Sequence, residues 1–247
     1  MPTATFRFYA SLNDFLPLAR RGRSFVHHFE ARASIKDMIE SLGVPHTEVD
    51  LLLVNGESVD FDRIVQDGDR ISVYPPFTTL DISGLTRVRP EPPPEPRFVL
   101  DVHLGKLAAY LRLLGFDALL PDDSDDANLA RLAAEEDRIL LTRDRGLLKR
   151  SSVRYGYCLR STDSTRQLLE VMRRYHLVNL VQPFSRCLRC NGLLEPVDKA
   201  SISDRLPPAT NANYDEFRRC QSCGQIYWKG SHYARLEALI RRALARG

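Results

Sequence analysis

The sequence has no run of eighteen apolar residues, and its N-terminus lacks the basic, apolar and small residues that follow one another in a secretory signal. A helix that spans a bilayer needs about 20 predominantly apolar residues, so we expect no membrane span. The missing signal predicts a cytoplasmic protein. Lysine is also scarce, and most of the basic residues are arginine. Two explanations of that preference stay open, a composition bias of the whole proteome and contact with phosphate groups.

Charge is distributed unevenly along the 247 residues, of which 43% are hydrophobic and 27% charged. This composition is typical of a globular protein, and the length predicts one to three domains. Residues 1–78 carry 8 basic and 11 acidic side chains, whereas the whole chain has a net charge of +3. The excess of positive charge therefore lies beyond residue 78, where we expect any anionic partner to bind.

Two short apolar runs organise the middle of the chain, Arg97–Asp101 and Arg138–Asp144. Each has the length and the polar flanks of a buried strand. Helical patterns lie between them, over 104–114 and 126–136. Strands that alternate with helices predict an α/β fold with a parallel sheet, in which ligands bind beyond the carboxyl ends of the strands.

Carboxylates stand at the points where such a sheet binds ligands. Asp101 and Asp144 end the two apolar runs, and an acidic group precedes the second helix, formed by Asp122, Asp123, Asp125 and Asp126. Three carboxylates at strand ends can hold a divalent metal ion for phosphodiester hydrolysis. The competing interpretations are a solvated strand end for Asp101, a helix cap for Asp126 and a turn former for Asp144.

The N-terminal 78 residues have the pattern of a β-grasp domain. Strands are predicted over 3–9, 24–29, 51–54 and 70–74. A helix is predicted between the second and third strands, with Ser34 as its N-cap and Gly43 at its end. Asn55-Gly56 is a hairpin turn signal.

This segment resembles the ThiS and MoaD sulfur carriers and, more distantly, ubiquitin. The resemblance depends on Val54–Glu57, on Asp67–Asp69 and on the strand that runs into Pro75-Pro76. Those carriers act through a free C-terminal Gly-Gly, whereas this chain continues with Phe77. We therefore expect a module that docks a protein partner or the α/β domain that follows it in the chain, with sulfur transfer as a competing function.

Proline density separates this module from the rest of the chain. Arg89–Pro96 is rich in proline, which favours extended geometry, so we predict a semi-rigid linker over 79–96. The α/β domain is expected over 97–176, with a further strand over 153–159. Its last helix, over 164–175, is expected to be capped by Ser161 or Ser164.

Four of the five cysteines form two Cys-x-x-Cys pairs, in a segment predicted to be a domain of its own, 177–247. Cys187 and Cys190 are separated from Cys220 and Cys223 by a loop of 29 residues. Four thiolates give tetrahedral Zn²⁺ coordination with no open position, so we predict an elaborated zinc ribbon with a structural ion. The fifth cysteine, Cys158, is expected to be a buried apolar side chain. A C-terminal amphipathic helix is predicted over 233–245, with an apolar face of Leu236, Leu239, Ile240 and Leu244.

Residues 97–235 resemble a PIN-like ribonuclease family named after the C-terminal region of a nematode mutator exonuclease, the Mut-seven C-terminal family. The matching runs are Phe98–Asp101, Leu104–Ala108, Leu111–Asp117, Ile139–Gly146, Phe184–Cys187 and Tyr227–His232. The resemblance implies a ribonuclease that depends on Mg²⁺ or Mn²⁺, with Asp101, Asp126 and Asp144 as its catalytic carboxylates. It also implies RNA, single-stranded or structured, as the partner. Bacterial two-domain members also carry a β-grasp domain ahead of the nuclease.

One departure from PIN nucleases leaves the acidic set incomplete. Many of them use a further glutamate on a helix between their first two aspartates, but only 24 residues lie between Asp101 and Asp126. Three outcomes stay open. In the first, that glutamate is replaced by Asp122, Asp123 or Asp163. In the second the site holds a single metal ion, and in the third the activity is weak or lost.

Basic and aromatic residues are candidates for substrate contact. Lys106, Arg143 and Arg145 lie close to the aspartates in the sequence and can neutralise phosphates, or else pair with the acidic group. Trp228, Lys229 and His232 follow the second cysteine pair and can stack on and clamp single-stranded RNA, with packing as the alternative for Trp228. The leading prediction is thus a metal-dependent ribonuclease, and the alternative is a non-catalytic module that binds RNA or associates with the ribosome.

Overall fold

The computed structural model describes residues 1–77, 80–88, 93, 95–122, 125–231 and 233–246. The chain forms two compact units. One consists of Met1–Pro93 with Asp126–Cys158, and the other of Pro94–Asp125 with Leu159–Gly247. The predicted domain 97–176 thus contributes to both units. A third of the predicted linker, residues 79, 89–92 and 94, lies outside the described residues.

The N-terminal residues form a five-stranded mixed sheet with one α-helix. Its strands are β1 (Thr3–Phe8), β2 (Phe25–His28), β3 (Leu51–Val54), β4 (Glu57–Ser58) and β5 (Arg70–Tyr74). Their order is β2-β1-β5-β3-β4, and only β1 and β5 pair in parallel. Helix α1 (Ile35–Ser41) follows the first hairpin. The predicted β-grasp layout is confirmed.

Local sequence signals account for this domain. Ala4, Phe6 and Phe8 alternate along β1 and are buried, as are Ile35, Met38 and Ile39 on one face of α1. The strand period of two and the helical period of 3.6 place each set on one face, where it contributes to the core.

One predicted cap and one predicted turn form as expected. Ser34 Oγ accepts a hydrogen bond from the Asp37 amide, 3.1 Å away, which satisfies one of the donors at the N-terminus of α1. Asn55 and Gly56 both have positive φ, 52° and 94°, as the two central residues of a type I′ hairpin turn require.

The middle of the chain alternates strands and helices. The strands are β6 (Phe98–Leu100), β7 (Ala118–Leu119), β8 (Ile139–Thr142) and β9 (Gly156–Cys158). The helices are α2 (Gly105–Leu113), α3 (Asp126–Glu135), α4 (Arg145–Leu148) and α5 (Ser164–Arg174). β6 pairs in parallel with β7, and β8 with β9. Every residue of β6 and β8 is buried, as in strands covered on both faces, and the predicted parallel-sheet domain is confirmed.

The C-terminal residues form a small antiparallel sheet and two helices. Its strands, in the order β10-β11-β12, are β10 (Leu194–Val197), β11 (Phe217–Cys220) and β12 (Ile226–Trp228). The helices are α6 (Pro208–Asn213) and α7 (Tyr233–Arg246). Short 3₁₀ helices complete the fold, at Ala10–Phe15, Leu18–Arg20, His46–Glu48, Val102–Leu104, Leu177–Leu180, Lys199–Ser201 and Ser203–Arg205. Within the described part of the chain, no helix is long and apolar enough to cross a bilayer.

Two predicted details of the helices are wrong. The N-cap of α5 is Asp163, whose carboxylate accepts from the Arg166 amide at 2.9 Å, and neither Ser161 nor Ser164 takes that role. On α7 the buried residues are Ile240 and Ala243, whereas Leu244 is 41% exposed. Ala243 and Leu244 both lie about one turn from Ile240 but on opposite sides of it around the helix, so the packed face extends toward Ala243 and leaves Leu244 at its edge.

Candidate functional site

The four paired cysteines form the tightest cluster of potential metal ligands. Their Sγ atoms all lie within 4.8 Å of one another. Cys187 Sγ is 3.7 Å from Cys223 Sγ, and Cys190 Sγ is 3.4 Å from Cys220 Sγ. Sulfur atoms bound to one tetrahedral Zn²⁺ at about 2.3 Å lie about 3.8 Å apart, so the four thiols can hold one such ion.

Two tight backbone turns place these sulfurs. The Asn191 amide donates to the Cys187 carbonyl at 3.0 Å, and the Gly224 amide donates to the Cys220 carbonyl at the same distance. At Gly192 a Cβ atom would lie 2.5 Å from Ser222 Oγ and 2.9 Å from Cys220 Sγ. A side chain at position 192 would therefore push the two turns apart, and this close packing explains why Gly192 is a glycine.

Hydrogen bonds differentiate the thiols. Burial raises the pKa of Cys187, but the Tyr227 hydroxyl, 3.1 Å away, and the amides of Cys190 and Arg189 outweigh it and lower that pKa to about 7. Burial beside the other thiols raises the pKa of Cys190 to about 12. Burial and the neighbouring Cys187 raise the pKa of Tyr227, which keeps its hydroxyl protonated and able to donate. Ligand sulfurs must be deprotonated to bind a metal, and a donated hydrogen bond stabilises the thiolate.

A buried arginine connects the first turn of the cluster to α2. Arg112 is 5% exposed; its Nε donates to the Ala118 carbonyl at 2.8 Å, and its Nη1 donates to the carbonyls of Leu188 and Arg189 at 3.1 and 2.9 Å. Burial lowers the pKa of its guanidinium, and the nearby thiols oppose that change. One side chain thus fixes the loop between Cys187 and Cys190 to β7 and α2.

Asp117 reinforces the same connection. It accepts from Asn191 Nδ2 at 2.8 Å and lies 3.7 Å from the guanidinium of Arg186. Asn191 Oδ1 in turn accepts from the Ala118 amide at 3.1 Å. The cysteine turns and the strand β7 therefore share a hydrogen-bonded network.

The three predicted catalytic aspartates belong to different units. Asp101 follows β6, is half-buried, and accepts from the His103 amide at 3.2 Å. Asp126 is exposed and begins α3. Asp144 follows β8 and caps α4, where its Oδ1 accepts from the amides of Gly146 at 2.6 Å and Leu147 at 3.4 Å. Asp101 belongs to the unit that contains Pro94–Asp125, whereas Asp126 and Asp144 belong to the unit that contains Asp126–Cys158.

The other acidic candidates are distributed along the surface. Asp122 is exposed, Asp163 caps α5, and Asp123 lies outside the described residues. Within either unit, and for the residues that the structure describes, the four cysteines are the one close group of three or more potential metal ligands. The carboxylate site is therefore a sequence-based prediction.

The basic candidates near the aspartates make different contacts. Lys106 is exposed in the first turn of α2, with its ammonium 5.8 Å from the centroid of the Tyr110 ring. Arg143 is exposed directly after β8. The guanidinium of Arg145 lies over the ring of Phe15, 5.0 Å from its centroid, so this arginine contacts the N-terminal domain.

Further contacts join the N-terminal domain to the strands and helices of its own unit. Glu48 is 2% exposed and accepts from the amide of Cys158 at 2.6 Å. The Nε2 atom of His46 lies 2.9 Å from the Val153 carbonyl. Lys149 Nζ donates to the Glu40 carbonyl at 2.5 Å. Cys158 itself is 4% exposed, as expected of a buried apolar side chain.

A cleft of about 740 Å³ lies on the small antiparallel sheet, beside the segment 183–188 and the first turn of α7. Two of the predicted substrate residues, Trp228 and Lys229, line it. Trp228 is 36% exposed, and Lys229 donates to Glu216 at 2.7 Å. The third, His232, lies outside the described residues.

Sequence reasoning missed the aromatic pair of this cleft. Phe184 and Tyr233 line it with their rings stacked at 5.0 Å. They are 49 positions apart in the sequence, and no motif spacing links them. Glu48 and His46 were missed for the same reason, because their partners Cys158 and Val153 lie more than a hundred positions away.

Comparison with protein families covers nearly all of the chain. A model described as the Mut7-C RNAse domain matches residues 96–240. A second model, described as Mut7-C ubiquitin, matches residues 1–81. These matches confirm the predicted family and the predicted order of the domains. Searches of curated proteins and of solved structures each found no match.

Proposed function

Because the chain belongs to the Mut7-C RNase family, we propose that it is a metal-dependent ribonuclease with a structural zinc ribbon. The match of the RNase model over 96–240 carries this proposal. The substrate is RNA, and the reaction is hydrolysis of a phosphodiester bond. The chain has a net charge of +3, and its excess of basic residues lies beyond residue 78. This charge favours an anionic substrate of this kind.

Asp101, Asp126 and Asp144 supply the carboxylates that bind Mg²⁺ or Mn²⁺. Bound there, such an ion lowers the pKa of a bound water and stabilises negative charge on the phosphoryl oxygens. Two observations support the assignment. Asp101 directly follows the last residue of the buried strand β6, Asp144 lies two residues after the end of the buried strand β8, and Asp126 begins a helix. The Oδ1 atoms of Asp101 and Asp144 accept backbone amides, which fixes the orientation of both carboxylates.

The four cysteines bind one Zn²⁺ that stabilises the ribbon. All four positions of a tetrahedral ion are then filled by sulfur, so the ion has no open position for substrate. The hydroxyl of Tyr227 donates to Cys187 and also accepts from the Leu188 amide at 3.1 Å, which holds the first cysteine turn against β12.

An RNA cleavage assay with added Mg²⁺ or Mn²⁺ tests the proposal. The wild-type protein is expected to cleave labelled RNA, and Asp101→Asn to lose at least 100-fold in rate. An amide oxygen still accepts from the His103 amide, so the variant should fold. Asp204→Asn, the same change at an exposed aspartate, serves as the control.

Cleavage by Asp101→Asn at the wild-type rate would refute the role of this carboxylate. A wild-type protein that binds RNA but does not cleave it with either ion would identify a non-catalytic RNA-binding module.

A further inference from the structure

We propose that the cleft on the zinc ribbon, here called the ribbon cleft, binds an unpaired base and its phosphate in single-stranded RNA. The ribbon cleft is lined by the segment 183–188, the strands β10 to β12 and the first turn of α7. This inference rests on RNA being the substrate and adds where, and in which form, the RNA is held. The cleft lies wholly within the unit that contains Leu159–Gly247.

The size and lining of the ribbon cleft suit a flat, largely apolar group. Its volume of about 740 Å³ lies within the range of about 300–1,000 Å³ that is typical of sites for small ligands. Aliphatic and aromatic side chains form most of its wall, among them Leu188, Leu194, Ile226 and Leu236. A nucleobase presents two flat faces and buries them best against such walls.

Aromatic rings provide the stacking surfaces. The rings of Phe184 and Tyr233 are parallel to within 19°, with centroids 5.0 Å apart. The Trp228 ring packs on Phe217 at 6.4 Å and is 36% exposed at the cleft. Proteins hold single-stranded RNA by stacking unpaired bases on rings of this kind.

The backbone at Phe184 is unusual and is held in place. Its φ is +58°, in the left-handed region that bulky side chains rarely adopt. The Phe184 amide donates to the Leu113 carbonyl at 3.0 Å, and its carbonyl accepts from Arg218 Nη1 at 3.2 Å. The ring of the same residue stacks on Tyr233, and backbone strain of this kind concentrates at functional positions.

Charge favours a nucleic acid over an uncharged ligand. The ribbon cleft is lined by three basic residues, Arg186, Arg218 and Lys229, and by two acidic residues, Asp215 and Glu216, so its lining carries one positive charge in excess. Lys199 pairs with Asp215, and Lys229 pairs with Glu216. Residues 177–247 carry 11 basic and 6 acidic side chains. A zinc ion with four thiolates adds a charge of −2, which leaves the segment positive. Cations beside stacking rings match a base with its phosphate.

The one tryptophan in the sequence makes the cleft observable. The full chain, loaded with zinc and without added Mg²⁺ or Mn²⁺, is titrated with twelve-residue oligo(U), oligo(A) and an RNA duplex. Binding of a base beside Trp228 is expected to quench its fluorescence with either single strand, and the duplex to quench it much less.

Substitution of Tyr233 tests the stacking surface. Tyr233→Ala is expected to weaken single-strand binding by roughly 5- to 100-fold, which corresponds to one stacked base. Tyr233→Leu retains apolar packing but not the ring, and should weaken binding similarly while the far-UV circular dichroism stays unchanged. Arg241→Ala removes a charge from α7 outside the cleft and is the matched control, with less than a 3-fold effect expected.

Each outcome decides between alternatives. Unchanged affinity for oligo(U) and oligo(A) in both Tyr233 variants would overturn the proposal, as would equal quenching by duplex and single strand. Quenching by an unrelated apolar peptide, with no effect of RNA, would make the ribbon cleft a peptide site and also overturn it. The assay does not depend on cleavage. If the protein is inactive but its fluorescence is still quenched by single-stranded RNA, the proposed nuclease function is refuted and the proposed role of the ribbon cleft is retained.

Discussion

The guanidinium of Arg145 lies over the ring of Phe15 and donates to the Phe15 carbonyl at 3.3 Å. Arg145 directly follows the proposed metal ligand Asp144 and begins α4. The N-terminal domain therefore contacts the helix that Asp144 caps. Within this unit the contact holds the first residue of α4 against the β-grasp domain.

Substitution of Arg145 separates a docking role from a substrate role. Arg145→Lys retains the positive charge but loses the planar group that stacks on Phe15. We expect it to lower the free energy of unfolding by about 0.5–1 kcal/mol, as measured by urea denaturation. If Arg145 serves docking alone, RNA affinity stays within 2-fold of the wild type, and Arg143→Lys, without that ring contact, leaves stability unchanged.

Glu48 is expected to stabilise the same unit. Glu48→Ala leaves the buried amide of Cys158 without its acceptor, which costs about 1–3 kcal/mol of unfolding free energy. Glu48→Gln retains an acceptor oxygen and should lose less. Chemical denaturation of both variants measures the difference, and an alanine variant as stable as the wild type would contradict the structure.

Removal of one thiolate is expected to release the zinc. Cys223→Ser should lower the bound zinc from about one ion per chain and expose the ribbon to proteolysis, because metal binding contributes folding free energy to such sites. Cys158→Ala changes the cysteine outside the cluster and should retain the ion. Metal analysis after dialysis, followed by limited trypsin digestion, tests both. Full zinc occupancy in Cys223→Ser would exclude this ligand set.

Two substitutions of Asp144 separate capping from metal binding. Asp144→Asn keeps an oxygen for the amides of Gly146 and Leu147 and should fold normally, but it lacks the charge that holds a divalent ion. Asp144→Ala also removes the cap, at a cost of about 1 kcal/mol. Cleavage should fall in both variants, and thermal stability in the alanine variant alone. Normal cleavage by Asp144→Asn would assign this residue to capping only.

The features that could be predicted are those set by neighbours in the sequence. The alternation of β1, the cap at Ser34, the turn at Asn55-Gly56 and the two cysteine pairs all depend on residues a few positions apart. Such local rules could not predict which residue caps α5, because Asp163 and the two serines near it are all good N-cap residues.

Long-range contacts could not be predicted from the sequence. Glu48 and Cys158 are 110 positions apart, and Arg112 reaches carbonyls 76 and 77 positions away. No local pattern specifies which polar groups such side chains will meet. The left-handed backbone at Phe184 is similar, since the carbonyl of Leu113 and the side chain of Arg218 hold it from distant parts of the chain.

The order of segments in the two units has a consequence for synthesis on the ribosome. The unit that begins with Met1 is completed by Asp126–Cys158, after the chain has left it for Pro94–Asp125. The partners of Glu40, His46 and Glu48 lie at positions 149, 153 and 158, and they emerge from the exit tunnel much later than those three residues. A fragment that starts at Arg97 would present α4 and β9 without those partners, so its behaviour would misrepresent that of the 247-residue chain.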